Sequence, residues 1–372
     1  MSPVIPLADL RREYDRLHSD IDRAIARVLR SGWFIGGEEV KAFEAEWAAY
    51  CSTAHAAAVS NGTDAVYLAL RAAGIGPGDE VVVPALAPAA AALGVQMAGA
   101  TLLFADVDAD RYTLDPAALE AAITPRTVAV VPVHLYGCPA DMAAIGRVAQ
   151  AHGLFVVEDA AHAPGAHCEG QRVGRLGHAS TFSFYPGRNL GAYGEAGAIA
   201  TNDGALAEKV RRLRRGGRGP DYDYQVAGID SRMDELQAAI LRVKLPRLDK
   251  WNQQRRALAA RYRAGLDAVE DLVLPAEPDN AEHVFNFYIV RTALRESLHE
   301  YLAGAGVTSG FHYPRALHQQ PAFAARGEEP AASCPNAEQI AAEVLSLPMF
   351  PYLTAAEVQQ IARLVRIFFA MR

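Results

Sequence analysis

The chain has 372 residues, of which 51% are hydrophobic, and a formal net charge of −7. This length predicts two domains rather than one small core, and the negative charge argues against a surface that binds nucleic acid or an anionic membrane. There is no N-terminal signal pattern and no apolar run of the roughly 18 residues that span a membrane, so we expect a cytoplasmic protein. The four cysteines include no CxxC pair, and we expect them to be reduced thiols.

Short apolar runs alternate with helical patterns in the first 250 residues. Buried strands are predicted at residues 54–60, 81–83, 102–107, 128–133, 155–157, 181–184 and 198–201, and helices at 64–73, 116–122 and 141–152. Strands separated by helices imply a mostly parallel sheet covered on both faces. Ligands of such sheets bind beyond the carboxyl ends of the strands, so we expect the site residues in loops that follow strands.

The C-terminal part has a different pattern. Residues 233–266 are predicted to be helical, with a kink or break at Pro246. A second unit follows Pro275, with a strand at 285–290 and helices at 294–305 and 337–345. We therefore expect an α/β fold with a large domain, residues 1–250, and a smaller C-terminal α+β domain, residues 251–372.

The first candidate site is the turn after the strand at 54–60. Gly62 and Thr63 open a helix there, where free N–H groups and the helix dipole favour a phosphate. An ordinary capped helix is the alternative. The second is Asp159, which ends a buried strand and could hold a cationic ring nitrogen, with His162 close behind. A helix cap and a structural histidine are the corresponding alternatives.

The third candidate is the loop at residues 183–194, SFYPGRNLGAYG, which follows another strand. It contains three glycines, a proline and several hydrogen-bond donors, among them Ser183, Tyr185, Arg188 and Asn189. A surface turn is the alternative. Its order after the other two segments favours a shared binding site.

Together, the three segments resemble the DegT-type family of sugar aminotransferases that depend on pyridoxal phosphate (PLP). The likeness extends to IPL at 5–7, SGWFIG at 31–36, PVHLYG at 132–137, SRMDELQAA at 231–239 and HYP at 312–314. The resemblance implies the type I aminotransferase-like fold of PLP-dependent transferases, a small-molecule substrate and a homodimer with shared active sites. No metal site is implied.

The resemblance also assigns roles by position. Gly62, Thr63 and Ser183 match the phosphate-binding positions, Asp159 matches the partner of the pyridine nitrogen, and His162 lies beside the ring. Asn189 belongs to the matched cofactor segment. The positions that shape the substrate pocket or reach across the dimer are matched by Trp33, Phe34, Tyr185, His312, Tyr313 and His318.

Three positions depart from the family pattern. Arg188 stands at the position of the lysine that forms a Schiff base with PLP. Arginine keeps its proton, with a pKa above about 12, so we expect no covalent link to the cofactor. Pro88 replaces an aromatic residue that stacks on the ring, and Asp230 replaces an asparagine that reaches the other subunit's phosphate.

Three functions remain open. The first is a diverged enzyme acting on a nucleotide-linked sugar or a natural-product intermediate, with PLP or pyridoxamine phosphate (PMP) held noncovalently, or with no cofactor. The second is an ordinary aminotransferase whose lysine was mutated, and the third is a non-catalytic scaffold or binding protein. We expect the first, with Arg188 binding an anionic group and His162 carrying protons because the pKa of histidine lies near neutrality.

Overall fold

The computed structural model describes residues 4–219, 221, 223–224, 226–323 and 333–372. Its α-helices are α1 (Leu10–Ser31), α2 (Glu38–Cys51), α3 (Gly62–Ala72), α4 (Ala89–Ala98), α5 (Pro116–Ala122), α6 (Met142–His152), α7 (Gly204–Leu213), α8 (Glu235–Lys244), α9 (Leu248–Leu266), α10 (Arg295–Gly304), α11 (Pro335–Glu343) and α12 (Ala355–Ala370). Its strands are β1 (His55–Val59), β2 (Glu80–Pro84), β3 (Thr101–Ala105), β4 (Thr127–Val130), β5 (Phe155–Asp159), β6 (His167–Cys168), β7 (Gln171–Arg172), β8 (Ala179–Ser183), β9 (Gly197–Thr201), β10 (Ala281–Glu282), β11 (Tyr288–Arg291) and β12 (Val344–Leu347).

The main sheet has seven strands in the order β1-β9-β8-β5-β4-β2-β3. The pairs from β3 to β8 are parallel, whereas β9 is antiparallel to both β8 and β1. Its strands are largely buried on both faces, as in β2, where all five residues are buried, which explains the continuous apolar runs in the sequence. The predicted α/β fold with a mostly parallel sheet is confirmed.

A smaller unit is formed by the C-terminal elements. Strands β11 and β12 pair antiparallel, and helices α9, α10 and α12 share an apolar core with them, including Tyr262, Tyr288 and Leu298. The division at residue 250 stays a prediction, and it falls within α9. Among the described residues, none of the helices combines the length and the hydropathy that crossing a membrane requires.

The bounds of several predicted elements differ in the structure. The helix expected at 337–345 ends at Glu343, and Val344–Leu347 is a strand that pairs with β11, because a short apolar run fits a helix or a buried strand equally well. The strand expected at 285–290 begins only at Tyr288, since Phe285 has a φ of 46°. The helical stretch 233–266 is interrupted by a 3₁₀ turn, Leu245–Arg247, at the expected proline.

Candidate active site

The carboxyl ends of β1, β5 and β8 lie at the same edge of the main sheet, because β1 runs in the same direction as the other two. The loops that follow these strands carry the three predicted site segments. They border a cavity of about 540 Å³, lined by Asn61, Gly62, Thr63, Asp64, Pro88, Ala90, Asp159, Ala161, Ser183, Tyr185, Arg188 and Glu195. The topology therefore brings segments that are distant in sequence into one site.

One wall of the cavity is the N-terminus of α3. Asn61 caps the helix, and its Oδ1 accepts a hydrogen bond from the Asp64 N–H at 2.9 Å. The first N–H groups of a helix have no acceptor within it and, with the helix dipole, favour an anion. Gly62 lies so close to Ser183 that a Cβ at position 62 would be 2.8 Å from the Ser183 Cβ. With the hydroxyl of Thr63, these residues form a narrow polar corner that suits a phosphate group.

Asp159 supplies a buried carboxylate. Asp159 is 3% exposed, and its Oδ1 accepts a hydrogen bond from the Ala161 N–H at 3.1 Å. Burial raises the pKa of Asp159, while the hydrogen bond and the charge of Arg188 oppose that rise. A further cation in the cavity would stabilise the ionised form, so this carboxylate suits a protonated ring nitrogen.

His162 is buried next to the cavity and is 1% exposed. Its Nδ1 accepts a hydrogen bond from the Tyr136 N–H at 3.1 Å, so the neutral ring carries its proton on Nε2. That atom has no hydrogen-bond partner among the described residues. Burial, and then the charge of Arg188, lower the pKa of His162 well below its usual value. This direction is opposite to the expected pKa near neutrality, and it favours the neutral ring, whose Nε2–H is a hydrogen-bond donor.

Arg188 lines the same cavity as Asp159. Its Nη1 donates to the Oδ1 of Asn286 at 3.3 Å, and its charge opposes the rise in the pKa of Tyr313 that burial causes. Its Nε is buried and has no acceptor within the described part of the chain. An unpaired buried donor on a charged group is costly, so Arg188 has the capacity to bind one more acceptor.

Aromatic residues pack beside His162 and His312. The ring of Phe287 lies 5.5 Å from that of His162 and stacks on His312 at 4.1 Å, between centroids. The Tyr313 ring lies 6.5 Å from His162. Burial, and then the charge of Arg188, lower the pKa of His312 to about 4. His162 and His312 are therefore both uncharged near neutral pH.

Two other predicted site residues lie away from the cavity wall. Asn189 is 2% exposed, and its amide Nδ2 donates to Asn252 Oδ1 at 2.8 Å and to Val284 O at 2.9 Å. His318 is also buried and contacts Glu338, with 2.9 Å between Nε2 and Oε1. Neither side chain has a polar group that the structure directs into this cavity.

The remaining predicted residues lie on the surface of the single chain. Trp33 is 63% exposed and belongs to a separate cavity between α1 and α2. Asp230 is exposed and pairs with Arg232, with 3.4 Å between Oδ1 and Nη2. Tyr185, by contrast, lines the main cavity although it is 53% exposed.

Sequence reasoning missed several residues of the site. Glu195 and Asp64 add carboxylates to the cavity wall, and Asn286 contacts Arg188 from the C-terminal unit. A signal for Asn286 existed, because an asparagine flanked by Phe285 and Phe287 in an apolar segment is a buried polar group that needs partners.

Comparison with known proteins gives consistent matches. The model of the DegT/DnrJ/EryC1/StrS aminotransferase family matches residues 15–366. The dTDP-3-amino-3,4,6-trideoxy-alpha-D-glucose transaminase of Streptomyces venezuelae is 46% identical, over 98% of this chain and 96% of that protein. A "pleiotropic regulatory protein" of Geobacillus stearothermophilus is 47% identical over 98% of both chains. The crystal structure of S. venezuelae DesV in complex with a ketimine intermediate matches with a TM-score of 0.96, 46% identity and 99% coverage of both chains.

Proposed function

The chain belongs to the DegT/DnrJ/EryC1/StrS aminotransferase family, and we propose that it acts on a nucleotide-linked sugar or related biosynthetic intermediate, with PLP or PMP held noncovalently. The observation that carries this proposal is Arg188 in the wall of a cavity whose other residues fit such a cofactor. The proposal places Arg188 where other family members have their cofactor-binding lysine.

The fit of the cofactor depends on two ends of the cavity. The polar corner of Gly62, Thr63 and Ser183 would hold the phosphate group, and Asp159 would hold the ring nitrogen. Pro88 would offer the ring an apolar surface instead of a stacking aromatic residue. When bound, the cofactor supplies an electron-withdrawing pyridine ring for chemistry at a substrate carbon.

No lysine of this chain is placed to replace Arg188. Lys209 and Lys250 are exposed on helices α7 and α9, and Lys41 lies on α2 beside other cavities. Lys244 is buried, and its Nζ donates to Gly191 O at 2.7 Å. A covalent link to PLP therefore has no lysine donor at the site, and PLP or PMP would be held by noncovalent contacts.

Arg188 and His162 are proposed to bind rather than to move protons. Each carries a buried N–H without an acceptor in the described structure, on Nε of Arg188 and Nε2 of His162. Such donors bind carboxylate, phenolate or carbonyl oxygens, and charge-assisted bonds from arginine are the stronger kind. We propose that Arg188 positions and polarises an oxygen of the substrate or cofactor, with His162 as a neutral donor beside it.

We also propose a homodimer in which each active site takes residues from both subunits. Three consecutive large apolar residues, Trp33, Phe34 and Ile35, are 63%, 47% and 40% exposed in the single chain, and a contiguous apolar surface of this kind favours an interface. In this dimer, Asp230 would approach the active site of the other subunit. Light scattering at micromolar concentration tests this, and a stable monomer would contradict it.

The substrate class is inferred from the relatives. The Streptomyces relative is named for a dTDP-linked amino sugar, which supports a nucleotide-linked sugar here. The regulatory name of the Geobacillus relative supports the alternative of a non-catalytic binding protein. An ordinary aminotransferase whose lysine was replaced by Arg188 is the third possibility.

Borohydride reduction followed by intact-mass measurement tests the central proposal. We expect no pyridoxyl adduct on the protein incubated with PLP, and a PLP or PMP absorbance that is lost on dialysis. Arg188→Lys is the matched variant, which should gain the adduct and retain the cofactor. An adduct on the parent chain would overturn the proposal. The mutated aminotransferase would be favoured if Arg188→Lys gained glutamate-dependent transamination and the parent chain had no activity on dTDP-linked keto sugars. The binding protein would be favoured if neither protein had a cofactor absorbance.

A further inference from the structure

We propose that Asn286 is a positioning residue that orients Arg188 through a directed chain of buried amide groups. The chain links Arg188 to the loop that carries His162, and it is formed by Asn286, Asn189 and Asn252, which are 2%, 2% and 1% exposed. The inference rests on the proposed ligand-binding role of Arg188 and deepens it.

Four hydrogen bonds form the chain. Arg188 Nη1 donates to Asn286 Oδ1 at 3.3 Å, and Asn286 Nδ2 donates to Asn189 Oδ1 at 3.0 Å. Asn189 Nδ2 donates to Asn252 Oδ1 at 2.8 Å. Asn252 Nδ2 then donates to Pro164 O at 2.9 Å. Pro164 lies two residues after His162, so the chain connects the two residues proposed to bind the ligand.

The direction of every amide in the chain is fixed by backbone carbonyls. Besides Pro164 O, the Nδ2 of Asn189 faces Val284 O at 2.9 Å and the Nδ2 of Asn286 faces Gly187 O at 3.3 Å. A carbonyl can only accept, so turning any one amide around would oppose oxygen to oxygen and leave buried groups unpaired. The Oδ1 of Asn286 must therefore face Arg188, where it accepts from a donor.

Hydrogen bonds also hold the backbone around Asn286. Arg255, which is 4% exposed, donates from Nη1 to Phe285 O and Met349 O, both at 3.0 Å. The Phe287 N–H donates to Tyr136 O at 3.3 Å, and the Tyr136 N–H is the donor that fixes the tautomer of His162. Arg188 and His162 therefore depend on one rigid support.

This support decides which donors Arg188 has left for a ligand. The guanidinium is planar, so a bond at Nη1 fixes the plane of the whole group. With Asn286 present, the Nε–H has no acceptor among the described residues. Without it, Nη1 would lose its partner, and the freed guanidinium could turn towards the carboxylate of Asp159 in the same cavity.

Two measurements on the purified full-length protein test the proposal. The first is the rate at which phenylglyoxal modifies Arg188, followed by peptide mass spectrometry without any ligand. The second is the dissociation constant for PMP from equilibrium dialysis. Asn286→Ala should raise the modification rate and weaken PMP binding, each by about tenfold, the value of one hydrogen bond to a charged group. The matched control is Asn280→Ala, because Asn280 Oδ1 also accepts from an arginine, Arg111, at 2.6 Å but lies outside this cavity and this chain; it should change both quantities by less than about threefold.

A double-mutant cycle separates positioning from a general loss of structure. In the Arg188→Ala background, Asn286→Ala should have little further effect on PMP binding, because its effect acts through the guanidinium. Equal effects of Asn286→Ala and Asn280→Ala, full additivity with Arg188→Ala, or an unchanged modification rate would each overturn the proposal. If the parent chain binds no PMP, the proposed function fails, whereas the modification rate still tests the role of Asn286.

Discussion

Replacing Lys244 by methionine is expected to destabilise the protein strongly. Lys244 is fully buried. Its Nζ donates to Gly191 O at 2.7 Å, forms an ion pair with the carboxylate of Glu13, and lies 4.0 Å from the centre of the Tyr193 ring. Gly191 belongs to the loop that carries Arg188. Methionine has a similar length but supplies no charge and no donor, so it leaves the carboxylate and the carbonyl without their partner.

The size of the effect follows from what remains buried. Removing one member of a buried ion pair costs about 3–5 kcal/mol, because the other charge stays behind unpaired, and Glu13 is only 9% exposed. Burial lowers the pKa of Lys244 even though Glu13 opposes that effect, which means that the desolvation of the ammonium is only partly offset. The pair as a whole therefore contributes little net stability, and neutralising both members should be much less harmful than removing one.

Urea unfolding followed by circular dichroism and tryptophan fluorescence provides the assay. We expect Lys244→Met to lower the free energy of unfolding by about 3–5 kcal/mol and the double variant with Glu13→Gln to recover at least half of that loss. Lys250→Met is the control, since Lys250 is exposed on α9, and it should have an effect within about 0.5 kcal/mol. A Lys244→Met variant as stable as Lys250→Met, or a double variant less stable than the single one, would refute the reasoning.

Three further outcomes are expected. Removing the charge of Arg188 in Arg188→Ala should raise the pKa of His312 above about 4 in an NMR titration, and an unchanged pKa would contradict the proximity of the two groups. The pKa of His312 is lowered on folding from 6.5 to about 4. The free energy of unfolding should therefore be insensitive to this group above pH 6.5 and should fall by up to about 3 kcal/mol as the pH drops towards 4. Urea unfolding at several pH values measures this fall, and His312→Gln should give a flatter pH profile. Gly62→Ala places a Cβ 2.8 Å from the Ser183 Cβ and should weaken PMP binding about tenfold or more through overpacking, whereas Gly187→Ala, whose Cβ would meet its nearest atom at 3.9 Å, should not.

Local sequence signals were sufficient for the main sheet and for most of the cavity wall. The apolar runs and the turns after them depend on neighbouring residues, and strand direction in an α/β fold then brings the carboxyl ends to one edge. For this reason Gly62, Thr63, Asp159, Ser183, Tyr185 and Arg188 could be assigned to one site, and the structure has all of them lining one cavity.

The charge state of the site could not be predicted in the same way. His162 has the pKa of a free histidine until its surroundings are known, and here burial and the charge of Arg188 lower it. Both effects come from residues distant in sequence. The same holds for Asn286, whose partners Gly187, Arg188 and Asn189 lie in another part of the chain, so that its isolated sequence signal could not say what it binds.

The charges around the cavity favour PMP over PLP as the ligand that this chain retains. The cavity wall contains three carboxylates, Asp64, Asp159 and Glu195, and one guanidinium, Arg188, while His162 and His312 are neutral. A phosphate group is favoured by the N-terminus of α3 but adds further negative charge, so the remainder of the ligand should be cationic.

The aldehyde of PLP is neutral and has no lysine here with which to form a charged link, whereas the amine of PMP is protonated in water. We therefore expect a dissociation constant for PMP at least about tenfold lower than that for PLP, the effect of one favourable charge contact in a partly buried site. Equilibrium dialysis at neutral pH measures both constants, and tighter binding of PLP would show that the carboxylates do not control the choice.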